Sequence, residues 1–143
     1  MFRQLNDRVY ASPQIGLAEV AEAARMGVGL IVNNRPEGES EDQTPGAEIE
    51  AAARAAGIAY VAIPVTHAGY SEAQVKAMAQ ALTVSDAPVL AYCRSGTRST
   101  LLWALAESSG GTSPQALTEA AAQAGYDLTP VRALMDMLAA GKP

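Results

Sequence analysis

The chain has 143 residues, one ordinary domain able to bury about two-thirds of the surface that its unfolded form exposes. It is 49% hydrophobic and 17% charged, with a net charge of -5 and no basic run, which fits a globular protein and excludes a nucleic-acid-binding surface. One cysteine and one histidine allow no internal disulfide and no ordinary metal-ligand set, so neither metal nor cofactor is expected.

In chain order, a short extended piece over 8–12 leads to Leu17, Val20, Ala21 and Ala24 at helical spacing, with Gly27 as the stop. Residues 28–32 form a β-branched run typical of a strand covered on both faces. The stretch 33–45, with two prolines and the acids Glu37, Glu39, Glu41 and Asp42, reads as an exposed loop. A helix over 46–56 and a second buried strand over 58–65 follow. Ser71 and Gln74 then form a capping box for a helix through about residue 84, with Val75, Met78, Ala79 and Leu82 inward. A third core strand over 88–92 ends on Cys93. Three helices complete the chain: 98–109 closed by Gly110, one begun by Ser113-Pro114 and closed by Gly125, and one begun by Thr129-Pro130 and closed by Gly141. Strands separated by helices predict an α/β domain over 1–143 with a parallel sheet covered on both faces. No membrane-spanning stretch or signal region is evident, and a cytoplasmic location is expected.

The chemistry concentrates in Tyr92-Cys93-Arg94-Ser95-Gly96-Thr97-Arg98-Ser99. In open parallel sheets ligands bind beyond the carboxyl ends of the strands, where Cys93 sits. The segment Arg94, Ser95, Gly96, Thr97 can curl its amides inward, and the next helix adds its positive end, so an anion can be held. The same field favours a thiolate over a thiol, with Arg98 adding a bidentate fork. Ser99 is expected to bond the sulfur or cap the helix, and Gly96 to supply backbone freedom. A cysteine that merely filled the core would need no such neighbours.

The loop Cys-Arg-Ser-Gly-Thr-Arg-Ser resembles that of rhodanese-type sulfurtransferases and, more loosely, that of cysteine-dependent phosphatases. Four residues separate Cys93 from Arg98; phosphatases of the tyrosine and dual-specificity kind place five there, and rhodaneses four. The upstream stretches 9–14, 27–37 and 60–65 resemble atypical dual-specificity phosphatases instead. The combination is similar to the phosphatase-like domain of bacterial β-lactamase-hydrolase-like proteins, a family also described as a sulfur transferase, over residues 3 to about 137. That resemblance implies a three-layer dual-specificity-phosphatase-like fold with a mostly parallel sheet of about four to five strands. It also implies a role near sulfide detoxification, where such domains are sometimes fused to a persulfide dioxygenase.

In such phosphatases an aspartate after the Ile-Pro-Val-like strand protonates the leaving alcohol; here that position falls on His67, either an acid or a polar loop residue. Asn34 and Arg35 follow a buried strand and are placed near the same anion, unless Arg35 pairs with a nearby glutamate. Trp103 and its neighbours Leu102 to Leu105 read as core. The preferred expectation is sulfur transfer from thiosulfate or a persulfide through a Cys93 persulfide. Its expected partners are a small anionic substrate and an external thiol acceptor, for example a persulfide dioxygenase, reached by diffusion or complex formation. The alternatives are phosphoester hydrolysis and a non-catalytic anion-binding domain.

Overall fold

The computed structural model describes residues 1–84 and 86–141; Ser85, Lys142 and Pro143, which belong to the predicted 1–143 domain, lie outside the described residues. Five strands, β1 (Arg3–Gln4), β2 (Val9–Ser12), β3 (Leu30–Asn33), β4 (Ala59–Ala62) and β5 (Val89–Tyr92), form one sheet in the order β1-β2-β5-β3-β4. Only β1, a two-residue strand without a sequence signal, runs antiparallel to its neighbour among these pairs. The helices are α1 (Leu17–Arg25), α2 (Gly46–Ala55), α3 (Glu72–Ala81), α4 (Thr97–Ser109), α5 (Pro114–Gln123) and α6 (Arg132–Ala140). The mostly parallel, doubly covered α/β architecture is therefore as expected.

The pleat explains the layers. Leu30 and Val32 of β3 and Val89 and Ala91 of β5 face a cluster that includes Val75 and Met78 of α3, Leu102 and Leu105 of α4, Leu117 of α5 and Met135 of α6. The alternate residues Ile31, Leu90 and Tyr92 face Val20 and Ala23 of α1 and Ile49 and Ala53 of α2. Side chains alternate faces along a strand, so both clusters are written into the same few residues. Helices α1 and α2 thus cover one face and α3 to α6 the other. Strands β2 and β3 send their chains to one layer and β5 sends its chain to the other, which opens a crevice beyond the strand ends.

Several expectations need correction. The strand predicted over 58–65 is only Ala59–Ala62, and it is an edge strand with exposed ends, paired with β3 alone. Its flanks stay extended because Ile63 and Val65 donate their amides to the carbonyls of Asn33 and Asn34, at 2.9 and 3.0 Å. Leu17 is 57% exposed and Ala21 is also exposed, so the inner stripe of α1 rests on Val20 and Ala23. Asn33, Asn34 and Arg35 are buried rather than part of an exposed loop. The third C-terminal helix begins one turn late: Thr129–Val131 is a 3-10 turn that leads into α6. Helix α4 does close at Gly110 as expected, and the left-handed residue, Gly111 with φ at +99°, follows it. The capping box stands, with Gln74 N donating to Ser71 Oγ at 3.1 Å and Ser71 N to Gln74 Oε1 at 2.7 Å. Among the described residues no helix is long and apolar enough to cross a membrane.

The contrast between Leu102 and Leu17 is directly measurable. Leu102→Ala should cost about 2–5 kcal/mol in urea unfolding because it opens a cavity. Leu17→Ala should stay within about 0.5 kcal/mol.

Candidate active site

Four segments converge beyond the carboxyl ends of the parallel strands: Pro13-Gln14 after β2, Asn34-Arg35 after β3, Ile63 to Tyr70 after β4 and Cys93 to Gly96 after β5. Cys93 continues the line of β5, its amide donating to the Ser12 carbonyl at 3.3 Å, and its side chain is buried. The chain then turns through Gly96 at φ +94° into α4. This turn folds the Gly96 amide back onto Cys93 Sγ at 3.1 Å. Only glycine serves here: the left-handed backbone disfavours a side chain, and a Cβ would overlap the Tyr126 hydroxyl. That hydroxyl donates to the Ser95 carbonyl at 3.2 Å and braces the loop from the segment after α5. The positive end of the 13-residue helix α4 therefore meets the sulfur.

Beside the sulfur, one carboxylate joins two arginines. Glu39 accepts from Arg98 Nη1 and Nη2 at 2.7 and 2.8 Å and from Arg35 Nε at 2.9 Å. Arg98 Nη1 also donates to the Val65 carbonyl at 2.9 Å, tying the loop after β4 to α4. Arg35, 4% exposed, completes its set with Gln14 Oε1 and Ser40 Oγ at 3.0 and 3.1 Å. Hydrogen bonds from Arg98, followed by those from Arg35, outweigh the opposing cost of burial and hold the Glu39 carboxyl well below its ordinary 4.5, at about 2. Burial, with the charge of Cys93 as the next contribution, pushes the Tyr70 hydroxyl up to about 12, so Tyr70 is neutral near pH 7.

Comparison with known proteins identifies the setting. Residues 1–110 match the family model described as the β-lactamase hydrolase-like protein, phosphatase-like domain. The chain belongs to that family. A β-lactamase hydrolase-like protein of Xylella fastidiosa (strain Temecula1) is 40% identical over 126 residues, covering 87% of this chain and 29% of that protein. The one of Agrobacterium fabrum is 33% identical over 108 residues, 76% of this chain and 25% of its own length. The phosphatase-like domain thus spans less than a third of these curated relatives. Among solved structures, a candidate phosphatase of Neisseria meningitidis Z2491 superposes with a TM-score of 0.82 at 32% identity, covering 95% of this chain and 96% of that one. Tk-PTP in its active form superposes at 0.75 with 19% identity over 98% and 97% of the two chains, a likeness of fold. The fold is that of the cysteine phosphatases.

The residues singled out from sequence fall into three groups in this phosphatase-like domain. Cys93, Gly96 and Arg98 come together as described, with Ser95 and Thr97 on the exposed rim, where Ser95 Oγ donates to Thr97 Oγ1 at 3.0 Å. Ser99 and Asn34 are engaged with each other instead of facing the sulfur or an anion: Ser99 Oγ donates to Asn34 Oδ1 at 2.7 Å, and Asn34 Nδ2 donates to the Ile63 carbonyl at 2.9 Å. Their buried pairing locks α4 to the end of β3. Arg35 pairs with a glutamate, the alternative left open for it, but does so in the interior and not on the surface. Arg94 and His67 are exposed, the latter in a turn closed by Gly69 N donating to the Thr66 carbonyl at 3.2 Å. Glu39, Tyr70 and Tyr126 were missed. Glu39 stood in an acidic stretch that looked solvated, and the tyrosines lie far from Cys93 in sequence, with no motif to single them out.

The ion pairing of Glu39 predicts an acid-sensitive component of stability. As pH falls the unfolded chain takes up this proton near 4.5, whereas the folded domain resists until about 2. The stabilisation is therefore complete above about 4.5 and lost as pH falls towards 2. Thermal melting across that range should show Glu39→Gln to be less stable near neutrality, with the gap to wild type closing in acid.

Proposed function

We propose that this domain is a cysteine-dependent phosphatase acting on a small phosphomonoester, with Cys93 as nucleophile. The bond from the Gly96 amide to Cys93 Sγ carries the reading, because it puts the sulfur in the focus of a loop and helix end that favour negative charge. The family's phosphatase-like description and the Neisseria relative support it. In the first step Sγ attacks phosphorus, the ester P–O bond breaks and the leaving oxygen takes a proton. In the second, water attacks the phosphocysteine, the S–P bond breaks, and inorganic phosphate and the thiolate are released. Loop amides and Arg98 meet the non-bridging oxygens in both steps. His67 is the proton donor in this scheme, placed in the segment whose Val65 carbonyl already contacts Arg98.

A second reading, sulfur transfer, is favoured by the four-residue spacing between Cys93 and Arg98 and by the segment 63–70, which contains no carboxylate to serve as acid. The thiolate would attack the outer sulfur of thiosulfate, the S–S bond would break and sulfite would leave with the bonding pair. The resulting persulfide would then pass its outer sulfur to an external thiol, because the chain holds no second cysteine to receive it. A small thiol or a persulfide dioxygenase fits that role. Both chemistries need a reduced thiol, which suits a reducing compartment such as the cytoplasm.

Wild-type protein and Cys93→Ser should be assayed side by side on an aryl phosphate and on thiosulfate with a thiol acceptor, with intact mass after each donor. Phosphate release that is lost in Cys93→Ser, with a transient gain of one phosphoryl group, is the expected result. A gain of one sulfur without phosphate release replaces the first reading by the second, and no reaction with either donor overturns both.

The role of His67 has its own test. His67→Ala should slow alkyl phosphates by about a hundredfold or more while sparing aryl phosphates, whose leaving groups need little acid help. Equal effects on both would remove His67 from the chemistry.

A further inference from the structure

In a trans peptide unit the carbonyl and the N–H point to opposite sides of the chain, so whatever holds one aims the other. The unit between Ser95 and Gly96 is held on both sides. The Gly96 amide donates to Cys93 Sγ at 3.1 Å, and the Ser95 carbonyl accepts from the Tyr126 hydroxyl at 3.2 Å. Helix α4 fixes the far end of Gly96, whose carbonyl accepts from the Thr100 amide and from Thr100 Oγ1, at 3.0 and 2.8 Å. The helix therefore sets where the Gly96 amide sits, but the direction of the N–H also depends on rotation of the peptide unit before it. A glycine, here at φ +94°, allows that rotation more readily than any other residue. Turned over, the unit would bring the Ser95 carbonyl oxygen towards the sulfur in place of a donor.

We propose that Tyr126 is a positioning residue of this site: its hydroxyl holds the peptide unit between Ser95 and Gly96 in the orientation that aims the amide at Cys93 Sγ and so favours the thiolate. The tyrosine is itself firmly seated. Gly125, at φ +92° after α5, lets Tyr126 N donate back to the Ala121 carbonyl at 2.8 Å, a cap that fixes its backbone. From β1, Arg3 lies over the ring at 5.5 Å from its centre and donates Nη1 to the Ala124 carbonyl at 2.8 Å. A Cβ at Gly125 would collide with that nitrogen, so the glycine also makes room for the clamp. The ring joins the core cluster that contains Leu117 and Leu128. Burial pushes the hydroxyl up from its ordinary value, against the opposing charge of Arg3, so it remains a donor at neutral pH.

The rival role is packing alone, in which the ring fills space and the hydroxyl adds stability without acting on the sulfur. The two roles differ in the pH profile of Cys93. Loss of a packing contact lowers the melting temperature and leaves the profile in place; loss of the aim moves the profile to higher pH.

The inference rests on Cys93 reacting as a thiolate stabilised by its loop, and the test separates the two. Cys93 is the single cysteine, so ultraviolet absorbance of the thiolate, taken as the difference from Cys93→Ser, reports this group alone. It also needs no reagent to reach a buried sulfur. Tyr126→Phe keeps the ring and removes the hydroxyl. Its profile should move to higher pH, with about three- to tenfold less thiolate per thiol along the acid limb, the range of one neutral hydrogen bond. Circular dichroism must show Tyr126→Phe folded under the assay conditions. If it is not, Arg3→Lys decides instead, because it keeps the charge but loses the planar group that covers the ring. A move to higher pH in that variant supports the proposal, and none overturns it. An unchanged or lowered profile in folded Tyr126→Phe overturns the role of Tyr126 and leaves the function standing. A wild-type thiol that titrates at the ordinary value of about 8.5 overturns both.

Discussion

Helix α4 buries Ser99, Thr100, Leu101, Leu102, Trp103, Ala104, Leu105, Ala106 and Ser108, so its apolar surface runs round the axis and does not form a stripe. A helix of that kind has to lie inside the molecule. The sheet closes it on one side and α3, α5 and α6 on the others. Its start is therefore fixed by the core rather than by the loop that precedes it. With Gly96 at the first turn, the amide directed at Cys93 Sγ inherits that rigidity. Preorganised donors of this sort need little rearrangement when charge develops on the group that they face.

The electrostatics follow a similar logic of fixed parts. The buried Arg35 and the partly exposed Arg98 would repel each other, and the Glu39 carboxylate between them turns that repulsion into a chain of ion pairs with one positive charge in excess. Burying Arg35 would be costly without its full set of acceptors, and Glu39, Gln14 and Ser40 supply them. The acidic stretch after β3 is thus part of the site's framework.

The sequence was most readable where one local signal decides the outcome. The β-branched run that leads into β3, the short apolar run of β5, the capping box at Ser71 and the Cys93 to Arg98 loop each state their structure within a few residues. It was least readable where the outcome depends on a partner distant in the chain. Ile63 and Val65 look like strand residues but lie past the end of an edge strand, extended only because Asn33 and Asn34 offer carbonyls. Leu17 satisfies helical spacing yet faces outward, since spacing alone does not say which side of α1 the sheet covers. Glu39 is one acid among four in its loop, and what distinguishes it is a pairing with Arg98, 59 residues away. Ser99 and Asn34 were recognised as belonging to the region, but their mutual bond spans 65 residues and no local pattern announces it.

The brace that Tyr126 applies to the Ser95 carbonyl comes from beyond residue 110, where the match to the family model ends. The boundary of recognisable similarity and the boundary of mechanical completeness therefore differ. A fragment cut at residue 110 would keep every element of the Cys93 motif yet lose this contact, along with the Leu117, Leu128 and Met135 side chains that pack in the same cluster as α4. The motif is a local text, but its shape is held by tissue that similarity alone would trim away.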